Sequence, residues 1–237
     1  MLSGMRGIFG GNSPFEGDKD EQMSFETQLK ILRDRLMAHS DKSLRRFLVA
    51  TGDVELAYAD ILRYNQWRKA EGVDSLSPSD PDILHYLAKG FVHTLRIKDV
   101  QGRPVLYVTT RKHFTNNKDL DKLLKFTVYM LEMTIKRMDE QVCDNICLVF
   151  DLQQFSLANM DYQFVKRLVW LFSKFYPERL GVCIIYCAPV VFQGCWPIIR
   201  HWYVRLNEAT ASKIVFVNSR EAMSKYLDLD GLPPQDL

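Results

Sequence analysis

Net charge is nearly absent from this chain. Lys and Arg number 31 against 29 Asp and Glu, leaving +2 over 237 residues. So even a balance excludes the strongly basic face by which duplex nucleic acid is usually held. It also gives no strong electrostatic pull towards anionic lipid. Long apolar runs are missing too, since none approaches the roughly 20 residues that a membrane-spanning helix needs. Cysteine is scarce and odd in number, at five, which predicts reduced core thiols rather than a disulfide framework. Cys183 and Cys187 are four apart on a predicted strand, hence roughly 13 Å apart at ~3.3 Å per residue. They cannot share a zinc ion whose bonds to sulfur are about 2.3 Å. With no CxxC and no His-x3-His pair, neither metal nor cofactor is expected.

Catalytic signatures are equally thin. No GxxxxGK[ST] or GxGxxG loop offers backbone N–H groups to a pyrophosphate, and no GxSxG elbow presents a nucleophile. His39, His85, His93, His113 and His201 fall on separate predicted elements. Asp151 closes a predicted strand, where α/β enzymes place catalytic groups. A lone carboxylate there is more often a cap for the next helix. No catalytic residue is assigned, and the expectation is a protein that is not an enzyme.

What is present is organised in three parts. Residues 1–23 are Gly-rich and then acidic, without a continuous apolar signal-peptide core, and are expected to be disordered. Residues 24–89 read as a helical unit. Its clearest element is "GDVELAYADILRYNQWRKAEG", with Asp53 as N-cap, apolar positions recurring at three and four, and Gly72 as the stop. From residue 90 to 237 the texture is α/β. "FVHTLRIKDVQGRPVLYVTT" alternates like a hairpin turning at Gln101-Gly102. A helix is predicted from about Asp119 to Glu140. "NICLVFDL", "GVCIIYCA" and "KIVFVN" are apolar strands separated by helical stretches. Unalternated strands between helices predict a mostly parallel sheet, buried on both faces and flanked by helices.

Residues 190–204 form an apolar helix carrying Val191, Phe192, Trp196 and Ile199, with Arg200 and His201 as its basic side chains. A helix apolar over more than one stripe needs cover on more than one side. It reads either as a core helix or as a gate over an apolar pocket. Gly194 and Pro197 weaken its interior.

Five stretches, in order, resemble the CRAL-TRIO lipid-binding domains: "SLRRFLVATGDVELAYADILRYNQWRKAEGVD", "DVQGRPVLYV", "LVFDLQQFSL", "FYPERLGVCIIYCAPVVF" and "ATASKIVFVNS". The phosphatidylinositol transfer proteins are the members most similar in motif. The resemblance implies a deep apolar pocket floored by the sheet, here assigned to Leu148, Phe150, Ile184 and Tyr186. It also implies a gate helix after the Ala188-Pro189 step, with Val191, Phe192, Trp196 and Ile199 as gate residues. Function follows as an expectation: a cytoplasmic monomer that holds one phospholipid, phosphatidylinositol foremost, and touches membranes transiently to exchange or present it. A sterol-, retinoid- or tocopherol-like ligand, or a lipid-free interaction module, is the alternative. Headgroup contacts map onto Glu178, Thr210 and Lys213. Glu178 with Lys213 reads equally as a surface ion pair. The family's arginine in the helical unit is replaced by Thr51, with Arg45 and Arg46 as neighbouring cations that could compensate. Ile146 and Leu148 stand where phosphatidylcholine-binding members carry hydroxyls, which argues against that lipid.

Overall fold

Side-chain caps set most of the helix starts. The computed structural model describes residues 23–115, 119–206 and 212–233; residues 1–22 of the segment expected to be disordered lie outside them. Ser24 opens α1 (Phe25–Arg35), Ser40 opens α2 (Asp41–Thr51) and Asp53 opens α3 (Val54–Ala70). Each accepts a hydrogen bond from a backbone N–H of the first turn, relieving donors that have no partner within the helix. Gly52 and Gly72 follow in left-handed conformations, at φ 68° and 59°, which glycine adopts without steric cost. Leu29, Leu32, Leu44, Phe47, Leu48, Ala57 and Ile61 close these three helices on a core of their own. The helix α4 (Pro81–Lys89), grouped by its sequence with the helical unit, instead buries Ile83 and Tyr86 in the core of the α/β lobe.

The lobe is built on β1 (Val92–Lys98), β2 (Pro104–Thr109), β3 (Ile146–Asp151), β4 (Leu180–Tyr186) and β5 (Ile214–Val217), in that spatial order. The first pair is antiparallel and turns at Gly102, as its sequence predicts; all later pairs are parallel. The helices α5 (Leu120–Ile135), α6 (Tyr162–Phe175) and α7 (Val190–Leu206) make the crossovers, and α8 (Arg220–Met223) follows β5. α5 is shorter than its sequence predicts. Asp139 bonds the Gln141 N–H at 3.0 Å, a local turn that competes with helix continuation.

Strand order explains where a cavity can form. Each parallel strand is added on the same side of the last, and right-handed crossovers then put every connecting helix on one face. On that face Leu106, Leu148, Cys183 and Ile185 pack against α4, α5, α6 and α7. On the other, Val105, Tyr107, Val149, Ile184 and Tyr186 are covered by the short C-terminal segment through Met223 and Leu227.

Candidate site: a polar cleft joined to an apolar interior

The site begins at the turn between α6 and β4. Pro177 follows α6, and Glu178 stands at φ 56°, the left-handed region that a non-glycine residue enters only when its surroundings hold it there. The holding groups are its neighbours. Tyr176 is buried and its hydroxyl donates to Glu132 Oε1 at 2.8 Å. Burial, and then the Glu132 charge, push the Tyr176 pKa well above its ordinary value, so the phenol stays protonated and remains a donor. Arg179 turns inward and donates to the Asp144 carbonyl at 2.9 Å and to its carboxylate at 2.6 Å. Burial, and then the nearby Arg46 guanidinium, lower the Arg179 pKa. With both flanking side chains fixed, Glu178 projects into a cleft of about 350 Å³.

Lys213 reaches that cleft from the start of β5. Its carbonyl accepts from the Cys183 N–H at 2.8 Å, which fixes its backbone, and its Nζ donates to Glu178 Oε2 at 3.0 Å. The two side chains are 23% and 28% exposed, so the pair is partly shielded yet open to a ligand. Thr51 lines the same cleft, and its hydroxyl faces the Phe47 carbonyl at 2.9 Å and the Asp53 carbonyl at 3.0 Å. That hydroxyl is spent on its own backbone at the end of α2. Thr210 lies outside the described residues. Three of the four sequence-assigned polar positions therefore meet in one place.

The neighbouring cations lead elsewhere. Arg45 pairs with Glu26 at 2.9 Å and Arg46 with Asp144 at 2.7 Å, and neither lines the cleft. Arg63 of α3 and Lys174 of α6 do line it, as does Asp60, the carboxylate paired with Arg63. The sequence reading missed these three. Leu56, Asp60 and Arg63 are spaced four and three apart, so the stripe was visible; which surface it faces was not.

Inside the cleft the lining becomes apolar. Leu148 and Phe172 form part of its wall and also part of a void of about 40 Å³ behind it. That void shares Phe150, Phe164 and Leu168 with a cavity of about 100 Å³ under α7. The cleft, the void and the cavity are thus neighbours with shared walls, lying in order from Glu178 and Lys213 to the underside of α7. Of the residues assigned to the gate, Phe192, Trp196 and Ile199 line the cavity under α7, whereas Val191 lies outside on the exposed face of the helix. Of the residues assigned to the floor, Leu148 and Phe150 line these cavities, whereas Ile184 and Tyr186 pack on the opposite face of the sheet. In the β3–β4 register Leu148 sits opposite Cys183 and Phe150 opposite Ile185, so Cys183 and Ile185 are the β4 floor. A strand with no polar residue carries no mark of which parity faces which layer. Burial raises the Cys183 pKa to about 12, leaving a neutral, apolar thiol in that floor.

Asp151 is nearly inaccessible. Its carboxylate accepts from the Tyr107 hydroxyl and the Gln153 N–H, both at 3.0 Å, and lies 3.5 Å from Arg111. These bonds hold the strand exit, on the sheet side away from the cavity. Among the described residues no group of three or more His, Cys, Asp or Glu stands close enough to hold a metal ion. No described helix is long and apolar enough to cross a membrane.

A sheet with its crossover helices on one face, a polar mouth and an apolar interior closed by the helix between β4 and β5 define a cavity-bearing domain of the kind that encloses an amphiphile. The chain belongs to the CRAL/TRIO domain family, which matches residues 88–235. It is 31% identical over 81% of its length to the CRAL-TRIO domain-containing protein C3H8.02 of Schizosaccharomyces pombe. It is 33% identical over 82% of its length to the phosphatidylinositol transfer protein CSR1 of Eremothecium gossypii. The chain spans 44% and 46% of those two relatives. The Sec14 cytosolic factor of Schizosaccharomyces pombe is 27% identical over 90% of the chain and 78% of that protein. The crystal structure of Sfh5 shares the fold, with a TM-score of 0.63 at 15% identity over 79% of this chain and 67% of that one.

Proposed function

We propose that this chain is a lipid-binding and lipid-transfer module that seats a phospholipid headgroup on Glu178 and Lys213 and its acyl chains beneath α7. Phosphatidylinositol is the first choice of lipid. The observation that carries the reading is the row of adjoining cavities that leads from a polar cleft to an apolar interior under one helix. The name of the Eremothecium relative, a phosphatidylinositol transfer protein, points the same way. Lys213 would donate to the phosphate and Glu178 would accept from inositol hydroxyls, replacing an ion pair worth about 0–1 kcal/mol when part-exposed with charge-assisted contacts. No step makes or breaks a covalent bond, so the module would act without catalysis or cofactor.

The interior voids of about 100 and 40 Å³ are below the roughly 300–1,000 Å³ of ordinary ligand pockets, so loading requires α7 to move out. Its outer face carries Val190, Val191 and Ile198, all exposed. Such surface is unfavourable in water, at about 25 cal/mol per Å², and favourable against acyl chains. That supports opening on transient contact with a membrane; a cytoplasmic monomer is proposed as the resting form. Ile146 and Leu148 offer a choline phosphate no hydroxyl, so phosphatidylcholine is not expected as cargo.

Native mass spectrometry of the purified protein, followed by transfer of labelled phosphatidylinositol between vesicles, tests the proposal. The expected result is a co-purified phosphatidylinositol mass and transfer that Lys213→Ala reduces at least about tenfold. An empty protein that exchanges no lipid would overturn the reading. A different co-purified apolar molecule would redirect it to another cargo.

A further inference from the structure

We infer that Arg63 and Lys174 are phosphate-binding residues of the cleft, recruiting the oxyanion from the two sides that Lys213 does not reach. The inference rests on the reading of the cleft as a headgroup site and goes beyond it in naming which side chains read the charge. α3 brings Arg63 to the cleft, α6 brings Lys174, and the start of β5 brings Lys213. Against these three cations stand two carboxylates, Asp60 and Glu178, which leaves one positive charge in excess. The carboxylates are already engaged, Asp60 with Arg63 and Glu178 with Lys213. Lys174 is exposed and has no ion-pair partner among the described residues.

Energetics favour the exchange of partners. The Asp60–Arg63 pair is an exposed contact within one helix, with the arginine side chain 62% accessible, a class worth only a few tenths of a kcal/mol. A phosphate offers the same guanidinium a bidentate, charge-assisted fork, which is roughly twice as strong as a neutral hydrogen bond. Thr51 offers no competing cation, because its hydroxyl serves the end of α2. The chemistry selected is a phosphate oxyanion, carried by a lipid headgroup or free in solution.

The test uses the full chain and vesicles carrying labelled phosphatidylinositol, with Arg63→Gln, Lys174→Gln, the double variant, and Arg63→Gln combined with Thr51→Arg. Each single variant should slow transfer several-fold and the double variant about tenfold or more, as expected for lost charged hydrogen bonds at a part-exposed site. Thr51→Arg should restore most of the loss in Arg63→Gln, a rescue that a merely structural role would not give. Melting temperatures should match the wild type, since both side chains are exposed. Transfer that Lys213→Ala reduces but the double variant leaves intact, with inorganic phosphate stabilising wild type and double variant alike, would overturn this inference alone. A wild type that transfers no phosphatidylinositol would overturn the headgroup reading and the inference with it. Inorganic phosphate that raises the melting temperature of the wild type but not of the double variant, while the double variant transfers lipid like the wild type, would keep the assignment of Arg63 and Lys174 and overturn lipid as its source.

Discussion

Arg179 and Glu178 are adjacent and point in opposite directions, one into the protein and one into the cleft, and substitution separates their roles. Replacing Arg179 with Met keeps the aliphatic stem but leaves Asp144 with Arg46 as its remaining guanidinium. Breaking a buried pair costs about 3–5 kcal/mol. Here Asp144 is 35% exposed and keeps one partner, so the expected loss is about 2 kcal/mol. That is roughly 4–8 °C of Tm for a chain of this size, measurable by thermal or urea denaturation. A loss under about 0.5 kcal/mol would show that the turn does not depend on Arg179. Glu178 and Lys213, paired by the sequence, do line one cleft, because both sit at element ends, where a family motif fixes position to the residue. The sequence could not place Arg63, which lies mid-helix and enters the cleft only because α3 docks beside α6. Nor could it orient Ile184 and Tyr186 on a strand apolar throughout.

At the scale of elements, α7 is two-faced. Phe192, Cys195 and Ile199 are buried while Val190, Val191 and Ile198 are exposed, so the core-helix and gate readings each describe one side. Its attachment fits movement. Cys187, which follows β4, stands at φ 50° immediately before Ala188-Pro189, and Pro197 removes one hydrogen bond from the helix interior. The cysteines report on this motion. Cys183 lies on the cavity face and Cys147 on the opposite one, both with thiols raised by burial. At pH 8 both are protonated, and the thiolate is the reactive form, so alkylation of the closed protein should leave them nearly unlabelled. Adding vesicles should speed labelling of Cys183 and leave Cys147 protected, as read by peptide mass spectrometry. Equal acceleration at both would indicate general unfolding rather than gate opening. The parallel sheet itself was legible from unalternated strands between capped helices. The closed state of its cavity was not, because six phenylalanines at helical or strand spacing, Phe91, Phe150, Phe155, Phe164, Phe172 and Phe192, describe a filled core and a fillable one alike.

Across the whole molecule, the helical unit and the α/β lobe meet through the same turn that presents Glu178. Trp67 of α3 stacks on Phe175 with ring centroids 4.1 Å apart and meets Tyr176 edge-on. Arg68 donates to Glu132 at 2.9 Å, and Arg46 to Asp144 at 2.7 Å. Burial works against the Arg68 charge, yet the bonds to Glu132 and Asp74 outweigh it and hold the guanidinium charged. The family match starts at residue 88, on the far side of all these contacts. A protein shortened to that start would bare Phe175 and Tyr176 to water and strip Glu132 and Asp144 of the arginines that α2 and α3 supply. Such a fragment should sediment as aggregates or melt well below the full chain, by analytical ultracentrifugation or calorimetry. The stretch that matches the family model is thus shorter than the packed body, and the wall it leaves out is the one that holds Thr51 and Arg63.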